Sequence, residues 1–255
     1  MSLRIAIAGK GGTGKTTVSA LLCRSLVARR IKPVLAVDAD PNSCLADRLG
    51  VTVERTIGAV RESIRQNPDL KPASLSKNEW IERLINDALV ESTGFDILAM
   101  GRQEGPDCYC FINNLLREYL ARIGRQYKAV VIDNEAGLEH LSRRTDGSVE
   151  VMLVICLPTL SGARTAVRIV ELMNSLHLDI GNCYLVVNQG DGRVSPAVAA
   201  EFQRTGLEMI AMIPADPAVA QCEANGQAVT VLPAESPAVA SVDRLLETIL
   251  DRRKT

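Results

Sequence analysis

The chain lacks several features that would place it in a specialised class of protein. Only 3% of its 255 residues are aromatic, so its core must be built from aliphatic side chains. A net charge of −1 and a pI of about 6.2 give no basic footprint for general nucleic-acid binding. No apolar run approaches the roughly 18 residues of a membrane span, and a predicted strand begins too early for a signal peptide. We therefore expect a single cytoplasmic α/β domain over residues 1–255.

The cysteine pattern gives no disulfide framework. Seven cysteines, an odd number, are scattered through a chain with no secretory leader. Free cysteine is a common small core residue, so we expect most of these thiols to be structural. Burial is predicted for Cys23, Cys156, Cys183 and Cys222, and a structural role for Cys44.

What the chain does contain is a predicted phosphate-binding loop at residues 9–17. It follows an apolar run at 3–8, typical of a buried strand, and precedes apolar residues spaced along one helical face. Glycines let the backbone N–H groups turn inward around a triphosphate, and the helix N-terminus adds partial positive charge. The pattern therefore predicts nucleotide binding. The loop consists of Gly9, Lys10, Gly11, Gly12, Thr13, Gly14, Lys15, Thr16 and Thr17.

Three residues of this loop have predicted roles of their own. Lys15 would reach the outer phosphates, and the Thr16 hydroxyl would hold Mg²⁺. Lys10 is a second lysine that one nucleotide does not need, so it could act on a nucleotide in a partner subunit, as an arginine finger does. The alternative is a solvated lysine on an exposed loop.

The loop resembles the deviant Walker A loop of the superfamily that includes MinD, ParA, the arsenite pump and the nitrogenase iron protein. This resemblance implies that ATP is bound between two subunits and that Lys10 is the signature lysine. It implies an ATPase in which Lys10, Lys15 and Asp40 are catalytic and ADP is a product.

Acidic residues end two of the predicted strands. Asp38 closes the apolar run 33–38, Asp40 follows it, and Asp133 closes the run 127–133. Functional groups collect beyond the carboxyl ends of parallel strands, so these carboxylates should lie beside the loop. The superfamily resemblance implies a water-positioning role for Asp40 and a magnesium environment formed by Asp38 and Asp133. The alternative is that Asp38 and Asp40 only cap their loop.

A Cys-x-Cys pair, Cys108 and Cys110, precedes a helix-like segment at 111–123. One such pair cannot complete a site that needs about four ligands, but two copies across a dimer axis can. Soft thiolates suit zinc, copper(I) or nickel, and the sequence alone does not determine which of these metals binds. The alternative is two unrelated, half-buried cysteines.

Residues 105–117 and 134–145 resemble segments of the CooC-type ATPases, accessory proteins for nickel insertion into carbon monoxide dehydrogenase. The resemblance implies a homodimer with Ni²⁺ (or Zn²⁺) at its interface, held by Cys108 and Cys110, and carbon monoxide dehydrogenase as client. Acetyl-CoA synthase as client, a MinD/ParA-like positioning ATPase and an electron-transfer ATPase remain open. His140 is expected to be a structural or interface residue.

Two later segments are predicted to lie on the adenine side of the site. Asn188 ends the predicted strand 184–189, and an amide can both donate to and accept from an adenine edge. Pro214 and Asp216 lie in a loop that resembles the second adenine-side segment of the superfamily. An ordinary loop role remains open for all three residues.

The alternation of five or more apolar strands with helices predicts a single doubly wound, mostly parallel sheet flanked by helices. The last helix, predicted over 236–250, has apolar residues at helical spacing. Packing of this helix on the sheet is favoured over a MinD-like membrane helix. We therefore expect no stable membrane attachment.

Overall fold

A computed structural model of the chain describes residues 2–42, 44–67, 71–101, 122–135 and 149–254. Over these ranges, a sheet of eight strands is flanked by helices, which confirms the predicted doubly wound α/β fold. The strands are β1 (Leu3–Gly9), β2 (Val34–Asp38), β3 (Val90–Glu91), β4 (Phe95–Ala99), β5 (Ala129–Asp133), β6 (Val149–Cys156), β7 (Ile180–Gly190) and β8 (Glu208–Pro214). The helices are α1 (Lys15–Ala28), α2 (Leu45–Leu49), α3 (Ile57–Gln66), α4 (Lys77–Asn86), α5 (Leu160–Ser175), α6 (Pro196–Gln203), α7 (Pro217–Ala224) and α8 (Pro237–Arg252).

The strand order is β3-β4-β2-β5-β1-β6-β7-β8, and all pairs are parallel except β3 with β4. β1 therefore lies inside the sheet between β5 and β6. Inner parallel strands are buried on both faces, which explains their continuous apolar sequences. This order brings the carboxyl ends of β1, β2 and β5 to one edge of the sheet.

Two cores pack against the two faces of the sheet. On one face, Ile5 and Ile7 belong to a cluster that includes the buried sides of α1 and α8. On the other face, Ala6 and Leu35 belong to a cluster that includes Trp80 and side chains of α3 to α6. Alternate residues of each strand point to opposite faces, so a single strand contributes to both cores.

The C-terminal helix α8 packs on the body of the protein. Its apolar residues are buried against a cluster that includes α1, and the helix also lies against β8. This agrees with the packing alternative that the sequence favoured. Within the described ranges, no helix is both long enough and apolar enough to span a bilayer.

Most cysteine predictions agree with the structure. Cys23, Cys156 and Cys222 are buried, as expected, whereas Cys183 is only partly buried because it lies in the half-exposed first part of β7. Cys44 is exposed, and its thiol donates to the backbone oxygen of Asn42.

Candidate functional site

The predicted phosphate loop connects β1 to α1, and its backbone is folded around one carbonyl. The oxygen of Lys10 accepts hydrogen bonds from the Thr13 N–H at 3.3 Å and the Thr13 hydroxyl at 2.8 Å. The Lys15 ammonium donates to the same oxygen at 3.3 Å. The Lys10 side chain itself is exposed. The loop is thus closed by its own residues, while one lysine points inward and the other remains accessible.

Two glycines of the loop are required by close approaches. A Cβ on Gly9, whose φ is +157°, would lie 2.4 Å from the Ile155 carbonyl oxygen of β6. A Cβ on Gly14, whose φ is +87°, would lie 2.2 Å from the Asn188 amide nitrogen. The Ile155 carbonyl is backbone and leaves no room for a side chain at Gly9, and the positive φ of Gly14 favours glycine at that position.

Asn188 has a structural contact that the sequence did not predict. Its side-chain nitrogen donates to the Thr13 carbonyl at 2.8 Å, and the residue is only 8% exposed. Asn188 therefore holds the phosphate loop from the end of β7. Its predicted contact with adenine stays a prediction.

Lys15 is the cation at the centre of the site. The residue is 7% exposed, and burial lowers the pKa of its ammonium group. Three carboxylates, of which Asp133 has the greatest effect and Asp40 and Glu135 follow, oppose this shift. A covered cation beside a glycine loop has the charge that phosphate binding requires.

Asp133 ends β5 beside the start of α1. Its Oδ1 accepts from the Ser19 hydroxyl at 3.1 Å, and Thr16 also donates to this carboxylate. Burial raises the pKa of Asp133 to about 6, against the opposing effect of Thr16 and Lys15. Its Oδ2 is buried and has no hydrogen-bond partner among the described residues. A buried, unpartnered carboxylate oxygen close to a threonine hydroxyl fits the oxygen ligands that magnesium prefers.

Asp38 and Asp40 both cap the loop that leads from β2 into α2. Asp38 is fully buried, and its two oxygens accept from the backbone N–H groups of Leu45 at 2.8 Å and Asp40 at 3.2 Å. Burial raises the pKa of Asp38 to about 7. Asp40 Oδ1 accepts from the backbone and side-chain nitrogens of Asn42. The capping alternative therefore describes their contacts, and their roles toward magnesium and water stay predictions.

Asp216 connects two helices at the far side of the site. Its Oδ1 accepts from the Ala218 N–H at 2.9 Å at the start of α7, and its Oδ2 accepts from Ser236 and Ala238 at the start of α8. Although partial burial would raise the pKa of Asp216, these hydrogen bonds lower it overall. A carboxylate used in this way organises the predicted adenine-side loop, whether or not it contacts a base.

One cavity of about 610 Å³ brings most of the predicted residues together. The predicted site residues that line it are Gly11, Gly12, Gly14, Lys15, Thr16, Thr17, Asp40, Asn188, Pro214 and Asp216. Cys44, Arg48 and Glu223, which the sequence did not predict as site residues, also line it. Their inclusion depends on the packing of α2 and α7, which no local motif indicates.

The predicted thiolate ligands Cys108 and Cys110, together with His140, lie outside the described residues. In the described part of the chain, no group of three or more metal-ligating side chains is present. Asn134, which follows Asp133, donates through its amide to the Ile7 carbonyl at 2.9 Å, and its buried Oδ1 has no hydrogen-bond partner in the described part of the chain. No sequence motif predicts a role for that amide.

Comparisons with known proteins agree with this geometry. An ATP-binding protein of Methanocaldococcus jannaschii is 38% identical over 251 residues, which cover 98% of this chain and 99% of that protein. The carbon monoxide dehydrogenase accessory protein CooC of Rhodospirillum rubrum is 31% identical over 186 residues, or 68% of this chain and 70% of CooC. The cell division ATPase MinD of Pyrococcus furiosus has a similar fold, with a TM-score of 0.70 at 23% identity, over 98% of this chain and 99% of that chain.

The family comparison covers most of the chain. Residues 5–229 match the CobQ/CobB/MinD/ParA nucleotide-binding domain, and this range includes the phosphate loop, Asp133, Asn188 and Asp216. The match therefore supports nucleotide binding by this chain. The chain belongs to the CobQ/CobB/MinD/ParA nucleotide-binding domain family.

Proposed function

We propose that this protein is a magnesium-dependent ATPase that dimerises when it binds ATP. The observation that carries the proposal is the centre formed at the glycine loop by buried Lys15, buried Asp133 and half-buried Thr16, in which Asp133 Oδ2 has no hydrogen-bond partner among the described residues. Such a centre combines a cation for phosphates with oxygen ligands for a metal ion.

Each residue of the site has a separate role in the proposed ATP hydrolysis. Thr16 and Asp133 would hold magnesium, which would supply positive charge to the phosphates. The loop N–H groups and Lys15 bind and orient the triphosphate. Asp40, at the cavity wall, would hold the attacking water. Lys10 is exposed and would extend to the phosphates of a partner subunit.

The first test measures ATP hydrolysis and size-exclusion elution with and without ATP. Asp40→Asn should lower kcat by roughly 100-fold, the lower end of general-base effects, with little change in ADP affinity. Lys10→Ala should abolish the ATP-dependent shift to dimer while each monomer still binds ADP. A Lys10→Ala protein that dimerises normally with ATP would contradict the role in trans.

We further propose that the ATPase assists nickel insertion into carbon monoxide dehydrogenase, with acetyl-CoA synthase as an alternative client. The sequence relation to the accessory protein CooC and the Cys108/Cys110 pattern support this role. Closure of the dimer would bring two cysteine pairs together as a four-thiolate site for Ni²⁺ or Zn²⁺.

Metal analysis of the purified dimer tests the metal site. Wild type should hold about one nickel or zinc ion per dimer, as four thiolates require, and Cys108→Ser/Cys110→Ser should lose it. Cys44→Ser is the matched control, because Cys44 is the exposed cysteine at the cavity, and it should retain the metal. Equal metal content in the double variant and wild type would contradict the cysteine assignment.

A positioning ATPase is the second candidate, because MinD and ParA proteins belong to the same family. Such a protein would bind a lipid surface or DNA in its ATP state. Co-sedimentation with anionic liposomes and DNA, with and without ATP, separates the two functions. Strong ATP-dependent binding that survives Cys108→Ser/Cys110→Ser would favour the positioning ATPase.

A further inference from the structure

Arg48 is a cationic side chain that lines the cavity and has no role in the phosphate binding proposed above. Among the described residues that line the cavity, the cationic side chains are those of Lys15 and Arg48. Lys15 belongs to the phosphate loop, where its ammonium group donates to the Lys10 carbonyl. Arg48 instead extends from α2, on another wall of the same cavity.

The short helix α2 holds Arg48 in a fixed position. Asp38 accepts from the Leu45 N–H and so anchors the first turn of the helix to the end of β2. Leu45 and Leu49 are buried in the core that includes α1. Gly50, just after the helix, packs so closely that an added Cβ would lie 2.9 Å from the Ala228 side chain. The base of the Arg48 side chain is therefore rigidly supported.

Glu223 of α7 fixes the other end of the Arg48 side chain. The two residues form an ion pair and hydrogen bond between walls of the cavity. The Arg48 side chain is 19% exposed and that of Glu223 is 63% exposed, so the arginine is the covered partner. Glu223 follows Asp216 by seven residues, which is about 10 Å along a helix. Arg48 thus contacts the same helix that Asp216 caps.

We propose that Arg48 is a base-binding residue whose guanidinium plane packs against the purine ring of the bound nucleotide. Glu223 neutralises the guanidinium and occupies one of its edges, which leaves its flat face for an aromatic ring. Guanidinium groups stack on aromatic faces, whereas an ammonium group lacks the plane. The inference deepens the proposed function, since it requires only that this cavity binds ATP and ADP.

The test compares a complete nucleotide with a ligand that has no base. Binding of ADP and of inorganic tripolyphosphate to wild type, Arg48→Ala and Lys15→Ala is measured by isothermal titration calorimetry. Arg48→Ala should weaken ADP binding by about 5- to 150-fold, the usual loss for one base stack, and leave tripolyphosphate affinity within twofold of wild type. Lys15→Ala should weaken the binding of both ligands. Equal losses for both ligands in Arg48→Ala, or no loss for either, would overturn the proposal.

Further variants separate stacking from charge. Arg48→Lys keeps the charge but not the plane, so it should bind ADP as weakly as Arg48→Ala, and recovery of wild-type affinity would overturn the stacking role. Glu223→Gln should lose part of the ADP affinity, because Arg48 is then less firmly held. Arg204→Ala removes an exposed arginine that pairs with Glu201 away from the cavity, and both affinities should stay unchanged.

The outcome is independent of whether the protein hydrolyses ATP. A wild type that binds ADP but has no ATPase activity would refute the proposed function, and the ADP and tripolyphosphate comparison would still decide the role of Arg48. A wild type that binds tripolyphosphate but gains no affinity from the nucleoside of ADP would overturn the base-binding role directly. Unchanged tripolyphosphate affinity in Arg48→Ala also shows that the variant is folded.

Discussion

At the scale of single residues, the phosphate loop depends on a contact that its own sequence does not contain. Asn188 lies 175 positions after Thr13 in the chain, yet its amide nitrogen donates to the Thr13 carbonyl. The loop motif predicts the glycines and Lys15, because these are local requirements. It cannot predict Asn188, because that contact arises only when β7 lies next to β6 in the sheet.

Removal of this amide should loosen the loop. Asn188→Ala leaves the buried Thr13 carbonyl without its donor, which should cost about 1–2 kcal/mol of stability and weaken ADP roughly tenfold. Asn188→Asp should lower stability and ADP affinity further, because a carboxylate oxygen would then face the carbonyl oxygen. Urea unfolding and ADP titration measure the two effects. Equal stability of Asn188→Asp and wild type would show that the contact contributes little.

The two raised aspartate pKa values predict a pH dependence of stability. Burial raises the pKa of Asp38 to about 7 and that of Asp133 to about 6, whereas both titrate lower in the unfolded chain. Between the unfolded and the folded pKa of each aspartate, the folded state therefore binds more protons than the unfolded state. The free energy of unfolding falls as pH rises through that range. The free energy of unfolding should be about 3 kcal/mol lower at pH 8 than at pH 5.5.

Urea unfolding of nucleotide-free protein in a chelator checks this difference at both pH values. Asp38→Asn/Asp133→Asn removes the two titrating groups, so its stability should change by less than half as much between the two pH values. A double variant with the wild-type pH dependence would assign the effect to other residues.

At the scale of the elements, the sequence predicts the inner strands well because burial on both faces leaves continuous apolar runs. It places β7 over residues 184–189, but the strand extends over Ile180–Gly190, since its first residues are half-exposed and lack that signature. It does not predict β3, whose two residues only pair with the edge of β4. The pattern of apolar residues thus indicates burial. It does not predict strands at the edge of the sheet or strand ends that extend past their neighbours.

Asp216 links two elements, so its loss should have a larger effect than one helix cap. Asp216→Ala removes the N-terminal cap of α7 and the bonds to Ser236 and Ala238 at the start of α8. We expect a loss of about 2–3 kcal/mol in the free energy of unfolding, from two weakened helix ends. Urea unfolding measures this loss.

Asp191→Ala is the matched control for this prediction. Asp191 is an exposed aspartate that accepts from the Arg193 N–H within one loop. Its substitution should change stability by no more than about 0.5 kcal/mol. Equal effects of the two substitutions would show that Asp216 does not connect the helices energetically.

At the scale of the whole molecule, the order of the sheet assembles the site. β1 carries the phosphate loop, β5 brings Asp133 to one side, and β6 contacts Gly9 on the other. The parallel register places these groups at one edge, which is why strand-end aspartates could be predicted from the sequence. The exposed side chain of Lys10 lies on the outside of this assembly, where a second copy can reach it.

Mixing two inactive variants tests whether Lys10 acts across a dimer. Lys10→Ala keeps a complete loop but supplies no lysine to its partner, while Lys15→Ala supplies Lys10 but cannot use its own site. A dimer that contains one copy of each variant would have one working site, so an equimolar mixture should regain ATPase activity that neither variant has alone. Lys10→Ala mixed with Lys10→Ala/Lys15→Ala offers no donor lysine and should stay inactive. Recovery in the first mixture alone would place the lysine in trans, whereas a mixture without activity would place it in the site of its own subunit.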